Sequence, residues 1–240
     1  MKKRTCLIAL SVLALTITAC GGNSKSQTAQ GVITQKQSNT ENNLHSNSNN
    51  GTNQNESTQG SNILIAYFTV PETDGVDAVA SASRVVTADG VLGNTEFIAT
   101  EIQKNLGGDL FAIQTVQEYP GTHDKLLEFA YNEKSDDARP ELSTHIDHLD
   151  NYDYIFVGYP NWNADLPMPL YSFFDEYDFS GKTIIPFVTH GGSGFSGTIQ
   201  TIQKLEPDAT VVETGLSIPR NSVSNAENDV KKWIDSLIKD

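Results

Sequence analysis

From residue 62 onward the chain alternates apolar runs of strand length with segments of helical periodicity, and three of the runs lead into polar loops. The runs are Asn62–Thr69, Tyr154–Tyr159 and Thr183–Val188. The loops are Gly93-Asn94-Thr95, which follows the first run after an insertion, then Pro160-Asn161-Trp162-Asn163, then Thr189-His190-Gly191-Gly192-Ser193-Gly194. Tyr154–Tyr159 and Ile184–Val188 are nearly continuous apolar stretches, as expected of strands covered by helices on both faces. Alternating βα units joined by right-handed crossovers give a doubly wound, three-layer α/β/α sandwich. In such an open sheet, the loops at the carboxyl ends of neighbouring strands meet in one crevice, where ligands bind. Here that crevice would present hydroxyls, backbone amides and one indole, a set suited to a phosphorylated flat ring.

The helical segments follow from spacing. Asn94–Leu106 places Phe97, Ile98, Ile102 and Leu106 on one side and ends in Gly107-Gly108. His123–Lys134 does the same with Leu126, Leu127, Ala130 and Tyr131, and Pro167–Tyr177, Phe195–Leu205 and Ala226–Ile238 complete the expected helices. Leu110–Val116 alternates apolar and polar residues, which predicts a strand near a sheet edge. Ala209–Val212 is expected to supply a further strand.

Ahead of this domain, which spans residues 62–240, lie two segments of different character. Residues 1–20 read as an export signal: Lys2-Lys3-Arg4 is a short basic region, and the apolar stretch to Ala19 is too short to span a bilayer. Its end, Ile17-Thr18-Ala19-Cys20, resembles a bacterial lipobox cut before the cysteine, so a lipidated Cys20 is expected as the membrane anchor and the cell envelope as the location. Residues 21–61 are rich in Asn, Ser, Gln, Thr and Gly and cannot bury enough surface to offset ordering entropy, so they read as a disordered tether. Cys6 would leave with the signal, and the domain itself has no thiol. Redox chemistry there must come from a cofactor. Three of the 16 basic residues fall in the signal and two in the tether, as do two of the 30 acidic ones, leaving 11 against 28 in the domain, a balance of −17. No basic patch accompanies that charge, so nucleic acid is not an expected partner. Nor is direct adhesion to anionic lipid, which leaves membrane attachment to Cys20.

The three loops also carry a resemblance to a known family. Tyr67-Phe68-Thr69 with Gly93-Asn94-Thr95, Tyr159–Asn163, and Phe179–Lys182 leading into Thr189–Gly194 stand in order, each at the end of an expected strand. In this the chain resembles the flavodoxin-like family, particularly its single-domain FMN proteins with long loops, over nearly all of residues 62–239. The resemblance implies a five-stranded parallel sheet in the order 2-1-3-4-5 and an FMN cofactor. It implies a phosphate at the start of the Asn94 helix, where free N–H groups and the helix dipole favour an anion and Thr69, Gly93, Asn94 and Thr95 gather. Capping by Asn94 or Thr95 is the plainer role and can coexist with it. Trp162 matches the position that packs a side chain on the isoalloxazine face, the alternative being a half-buried tryptophan at the rim. Asn161, Asn163 and the adjoining backbone would face the ring edge, with Pro160 and Pro167 stiffening the loop. Thr189, Gly191 and Gly192 would donate to the polar groups of the ring, with Gly194 allowing close approach of backbone.

Several features invite other readings. Gly192, Gly194 and Gly197 spell a G-x-G-x-x-G fingerprint, but after a late strand rather than the first, which argues against a dinucleotide fold. His190 either hydrogen-bonds the flavin or relays a proton to a substrate, or else pins its own loop. The other histidines show no metal spacing, and Ser193 lacks a matched base and acid. The insertion between Thr69 and Gly93 is either a flap over the flavin, with Arg84 on the phosphate, or a solvated excursion. Functionally, the residues point to an exported FMN protein carrying reducing equivalents. One form is an oxidoreductase passing electrons from NAD(P)H to a quinone or similar acceptor; another is a one-electron carrier docking protein partners. A third is a ligand-binding lipoprotein that has lost its flavin. Negative charge around the site would lower the potential by disfavouring a negatively charged reduced ring.

Overall fold

The computed structural model describes residues 62–72, 83–88 and 90–237; the expected signal, Cys20 and the tether lie outside them. The elements in chain order are β1 (Ile63–Tyr67), β2 (Arg84–Thr87), β3 (Gly90–Gly93), α1 (Asn94–Leu106), β4 (Asp109–Ala112), α2 (His123–Ser135), β5 (Tyr154–Pro160), α3 (Met168–Glu176), β6 (Thr183–His190), α4 (Thr198–Leu205), β7 (Thr210–Val211), β8 (Leu216–Pro219) and α5 (Glu227–Leu237). The main sheet runs β4-β1-β5-β6, followed by an edge position shared by β7 and β8, and every pair in it is parallel. This is the expected 2-1-3-4-5 order with its fifth strand divided in two.

A proline explains the division. Ile184 accepts a hydrogen bond from the Val212 N–H at 2.9 Å, so its backbone polar groups face the edge strand. Alternation along β6 turns residue 186 to the same side, and Pro186 has no N–H to offer. The edge strand leaves the ladder there: β7 pairs with Thr183 and Ile184, and β8 resumes opposite Phe187 to His190.

Because successive strand residues point to opposite faces, the apolar runs feed two cores. Leu64, Ala66, Val157 and Val188 pack with Leu170 and Phe173 of α3 and Ile202 of α4. Ile65, Phe156 and Phe187 pack with Ile98 and Ile102 of α1 and with Val230 and Ile234 of α5. The sheet tolerates little slack: a β-carbon on Gly158 of β5 would lie 2.0 Å from the Phe187 ring.

Two local expectations are corrected and two elements are added. The strand expected over Leu110–Val116 ends at Ala112, because the Val116 N–H bonds the Glu141 carbonyl and Thr115 bridges Leu142 away from the sheet. The helix expected from Phe195 begins at Thr198, since Ser196 and Gly197 have φ of 50° and 87° and cannot extend a right-handed helix. The insertion contains the antiparallel hairpin of β2 and β3, with Ser83 joined to the start of α1 through a bond from the Asn94 N–H to its carbonyl (2.8 Å). The last strand is followed by β8, which had no place in the sequence reading. Ile238, the expected end of the final helix, lies outside the described residues.

Candidate functional site

The carboxyl ends of β1, β5 and β6 open into a cleft of about 310 Å³. Three groups of residues build its walls, one from each strand end.

The first wall is the start of α1. Thr69 follows β1 and packs its side chain against Gly93, where a β-carbon would stand 2.0 Å from its Oγ1. The missing side chain therefore brings a hydroxyl against the helix start. Thr95 is fully buried and shares a 2.9 Å hydrogen bond with Thr189, which ties α1 to the end of β6. The Gly93 N–H donates to the Glu96 carboxylate at 3.1 Å, so two of the amides at the helix start are already engaged, by Glu96 and by Ser83. Thr69, Ser83, Asn94 and Thr95 all line the cleft, and none carries a formal charge.

The second wall is the loop after β5. Pro160, Asn161, Trp162, Asn163 and Ala164 line the cleft. Trp162 and Asp165 exchange backbone hydrogen bonds (3.2 and 3.0 Å), enclosing Asn163 and Ala164 at φ of 52° and 58°. Asparagine tolerates this left-handed region, whereas alanine is strained there. Lys134 of α2 holds the turn by donating to the Asn163 carbonyl (2.8 Å) and pairing with Asp165 (3.1 Å). The half-buried indole of Trp162 is braced from behind: Phe68 meets it edge-on at 5.4 Å between centroids, and Tyr119 at 5.7 Å.

The third wall is the loop after β6, from which Thr189, His190, Gly191 and Ser193 line the cleft. His190 Nδ1 accepts the Gly192 N–H at 2.9 Å, and burial lowers its pKa from the ordinary histidine value. A neutral ring accepting at Nδ1 carries its proton on Nε2. His190 thus pins its loop and also lines the cleft, joining two roles that the sequence set apart. Asn161 connects the second and third walls: its Nδ2 donates to Gly194 O (2.6 Å) and Ser196 Oγ (3.0 Å), and its N–H donates to Thr189 O (2.8 Å). Its Oδ1 is buried without a hydrogen-bond partner among the described residues, an acceptor awaiting a donor.

Ten of the thirteen residues expected from the sequence line the cleft: Thr69, Asn94, Thr95, Pro160 to Asn163, and Thr189 to Gly191. Gly93, Gly192 and Gly194 do not. Gly93 makes room for Thr69, Gly192 spends its N–H on His190, and Gly194 receives the Asn161 amide. Arg84 is not among the lining residues, and its Nη1 reaches the Glu72 carbonyl at 3.4 Å. Nine further lining residues were not assigned to the site from the sequence, and three of them carry ionisable groups. Glu72, essentially buried, bonds Nδ1 of His123 at 2.9 Å, and Arg220 enters from the end of β8. The first pair spans 51 positions and left no local signal. Arg220 could have been found from Leu216–Pro219, an alternating run whose end faces the same edge as the other loops. Among the described residues no group of three or more His, Cys, Asp or Glu could hold a metal ion.

The donor set fits a phosphorylated flat ring: uncharged hydroxyls near a helix start, an indole at one side, and an unpartnered amide oxygen at the other. Three solved structures are similar. A candidate flavoprotein from Bacteroides uniformis is 25% identical, with a TM-score of 0.57, over 74% of this chain and 99% of that one. Another from Bacteroides eggerthii is 24% identical at a TM-score of 0.54, over 75% and 99%. A Lactobacillus acidophilus flavoprotein solved in complex with FMN is 17% identical at 0.50, over 73% and 99%, and bears on the fold alone. No curated protein matches the chain. The family model described as Flavodoxin matches residues 79–237, well over half the sequence, and the chain belongs to the flavodoxin family.

Proposed function

We propose that this protein binds FMN in the cleft at the ends of β1, β5 and β6 and acts as an oxidoreductase at the cell envelope, held to the membrane through Cys20. The observation that carries the reading is Asn161. Its amide links the two ring-side loops, and its buried Oδ1 has no partner among the described residues. A flavin offers such an acceptor the N–H donor it lacks.

FMN supplies the electron chemistry, taking up and releasing electrons at its ring. The chain's own residues do the rest. Thr69, Ser83, Asn94 and Thr95 hold the phosphate with hydroxyls, amides and the positive end of α1, so a dianion is accommodated without a basic cluster. Trp162 offers an aromatic surface braced by Phe68 and Tyr119, and an offset ring contact adds about 1 kcal/mol beyond area burial. His190 presents an Nε2–H donor rather than an acid.

Leu126, Leu127 and His123 of α2 close a side of the cleft together with Glu72. That wall favours turnover of a small molecule over docking of a protein at an open ring edge, so NAD(P)H as donor and a quinone-like acceptor form the leading pair. Two measurements test the reading. The freshly purified protein should be yellow, or become so on adding FMN, and should oxidise NAD(P)H in the presence of a quinone. Flavin binding without turnover on any quinone would transfer the assignment to a one-electron carrier; a protein that stays colourless would end it.

A further inference from the structure

Arg220 opens the short helical segment that follows β8. Register brings it to the cleft: Pro219 pairs with His190 at the end of β6, so the next residue stands level with Gly191. Its guanidinium lies along the face of Gly191. Nη1, Cζ and Nε are 3.5, 3.7 and 3.9 Å from the point where a β-carbon would be, so the guanidinium lies in van der Waals reach of this residue. The half-buried side chain lines the cleft and has no ion pair or hydrogen bond to another described residue. This is unusual in a domain where acidic residues outnumber basic ones 28 to 11. By contrast, Arg139 is clasped by Asp137 and Asp175.

The charges facing the cleft can be named from all its walls. Glu72 is the one carboxylate among the described lining residues, and it is bonded to His123. Burial of His190 disfavours its charged form. A guanidinium stays charged throughout the physiological range. The more distant acidic surface is screened over about a Debye length of 8–10 Å. Arg220 thus puts a positive charge beside the loop after β6, opposite in sign to the domain as a whole.

We infer that Arg220 is the counter-charge for the reduced flavin, raising its potential above what the acidic domain would otherwise impose. The inference rests on FMN occupying the cleft with its polar ring edge toward the loop after β6. A hydride from a reduced nicotinamide brings two electrons and one proton, the nicotinamide leaves oxidised, and the ring keeps one added negative charge. An unpaired guanidinium beside that edge stabilises this state and leaves the neutral oxidised ring nearly unaffected. This reverses the lowered potential expected from net charge. It also suits two-electron exchange with a small molecule.

The test compares the unmodified protein with R220Q and R220K, reading the affinity for oxidised FMN and the midpoint potential of bound FMN. In R220Q the reduced form should bind about tenfold more weakly relative to the oxidised form, a fall of about 30 mV for a two-electron couple. Oxidised FMN should bind within a few-fold of the parent. R220K keeps the charge and should keep most of the potential, which separates charge from packing. An unchanged potential in R220Q, or an equal fall in both variants, would overturn the inference while leaving the flavin reading intact. Failure of the unmodified protein to take up FMN at all would overturn the flavin reading first and this one with it.

Discussion

The loops after β5 and β6 lie side by side at the mouth of the cleft and reach a fixed shape by opposite means. The β5 loop relies on side chains: two non-glycine residues at positive φ, Asn163 and Ala164, are forced by a backbone bridge and clamped by Lys134. The β6 loop relies mainly on glycine, with Gly192, Gly194 and Gly197 at φ of 133°, 60° and 87°, and is pinned by the imidazole of its own His190. The β5 loop thus holds two non-glycine residues in the left-handed region and the β6 loop one, Ser196 at φ of 50°. Asn161 joins them, so the weaker-tied β6 loop borrows order from the clamped one.

Breaking that link should have the largest effect on FMN affinity. Asn161→Ala leaves the half-buried Gly194 carbonyl without its 2.6 Å donor, a loss of about 0.5–1.5 kcal/mol, the net worth of a typical hydrogen bond. Denaturant unfolding should show that loss, and FMN affinity should fall by about tenfold or more as both ring-side walls loosen. A variant that binds FMN normally would show that the two loops are independent.

Next come the paired tests of backbone conformation. At Gly197 a β-carbon meets nothing nearer than 3.9 Å, so Gly197→Ala isolates the left-handed penalty, about 1–2 kcal/mol of destabilisation. Ala164→Gly should act in the other direction, because it releases strain in the β5 loop. The gain is smaller, about 0.5 kcal/mol once the added chain entropy of glycine is offset, and should appear as a rise in Tm of about 2 °C. Equal and unfavourable effects at both sites would erase the distinction between the loops.

The smallest expected effect is a pH dependence confined to the β6 loop. Burial lowers the His190 pKa, so the folded state binds this proton less readily than the unfolded chain. The stabilisation is present above the ordinary histidine value near 6.5 and is lost as pH falls through the lower folded value, where protonation at Nδ1 displaces the Gly192 N–H. FMN affinity should decline between pH 7 and pH 5, and His190→Gln should flatten that slope. A slope unchanged in the variant would place the titrating group elsewhere.

The strands and most helices were legible because burial on both faces leaves unbroken apolar runs, and amphipathic packing leaves a helical period. The ring-side loops were legible because each follows such a run directly. Other features escaped for identifiable reasons. β8 is short and separated from β7 by the break at Pro186, whose effect appears only when a neighbouring strand is placed beside it. The hairpin of β2 and β3 is cut from a polar, glycine-containing insertion, with Val86 and Val91 exposed, so no buried period marks it. Glu72 and His123 meet the cleft through tertiary contact alone, and Arg220 follows the short run that forms β8. Arg84 drew attention as a charge near a phosphate loop, yet it serves the backbone of Glu72.

The central claim is that uncharged donors at the start of α1 and a braced indole after β5 together hold FMN. Titrating the purified protein into micromolar FMN and following flavin fluorescence tests it most directly. The account predicts quenching that saturates at one flavin per chain and weakens in Trp162→Ala. Fluorescence that stays unquenched through a molar excess of protein would contradict it.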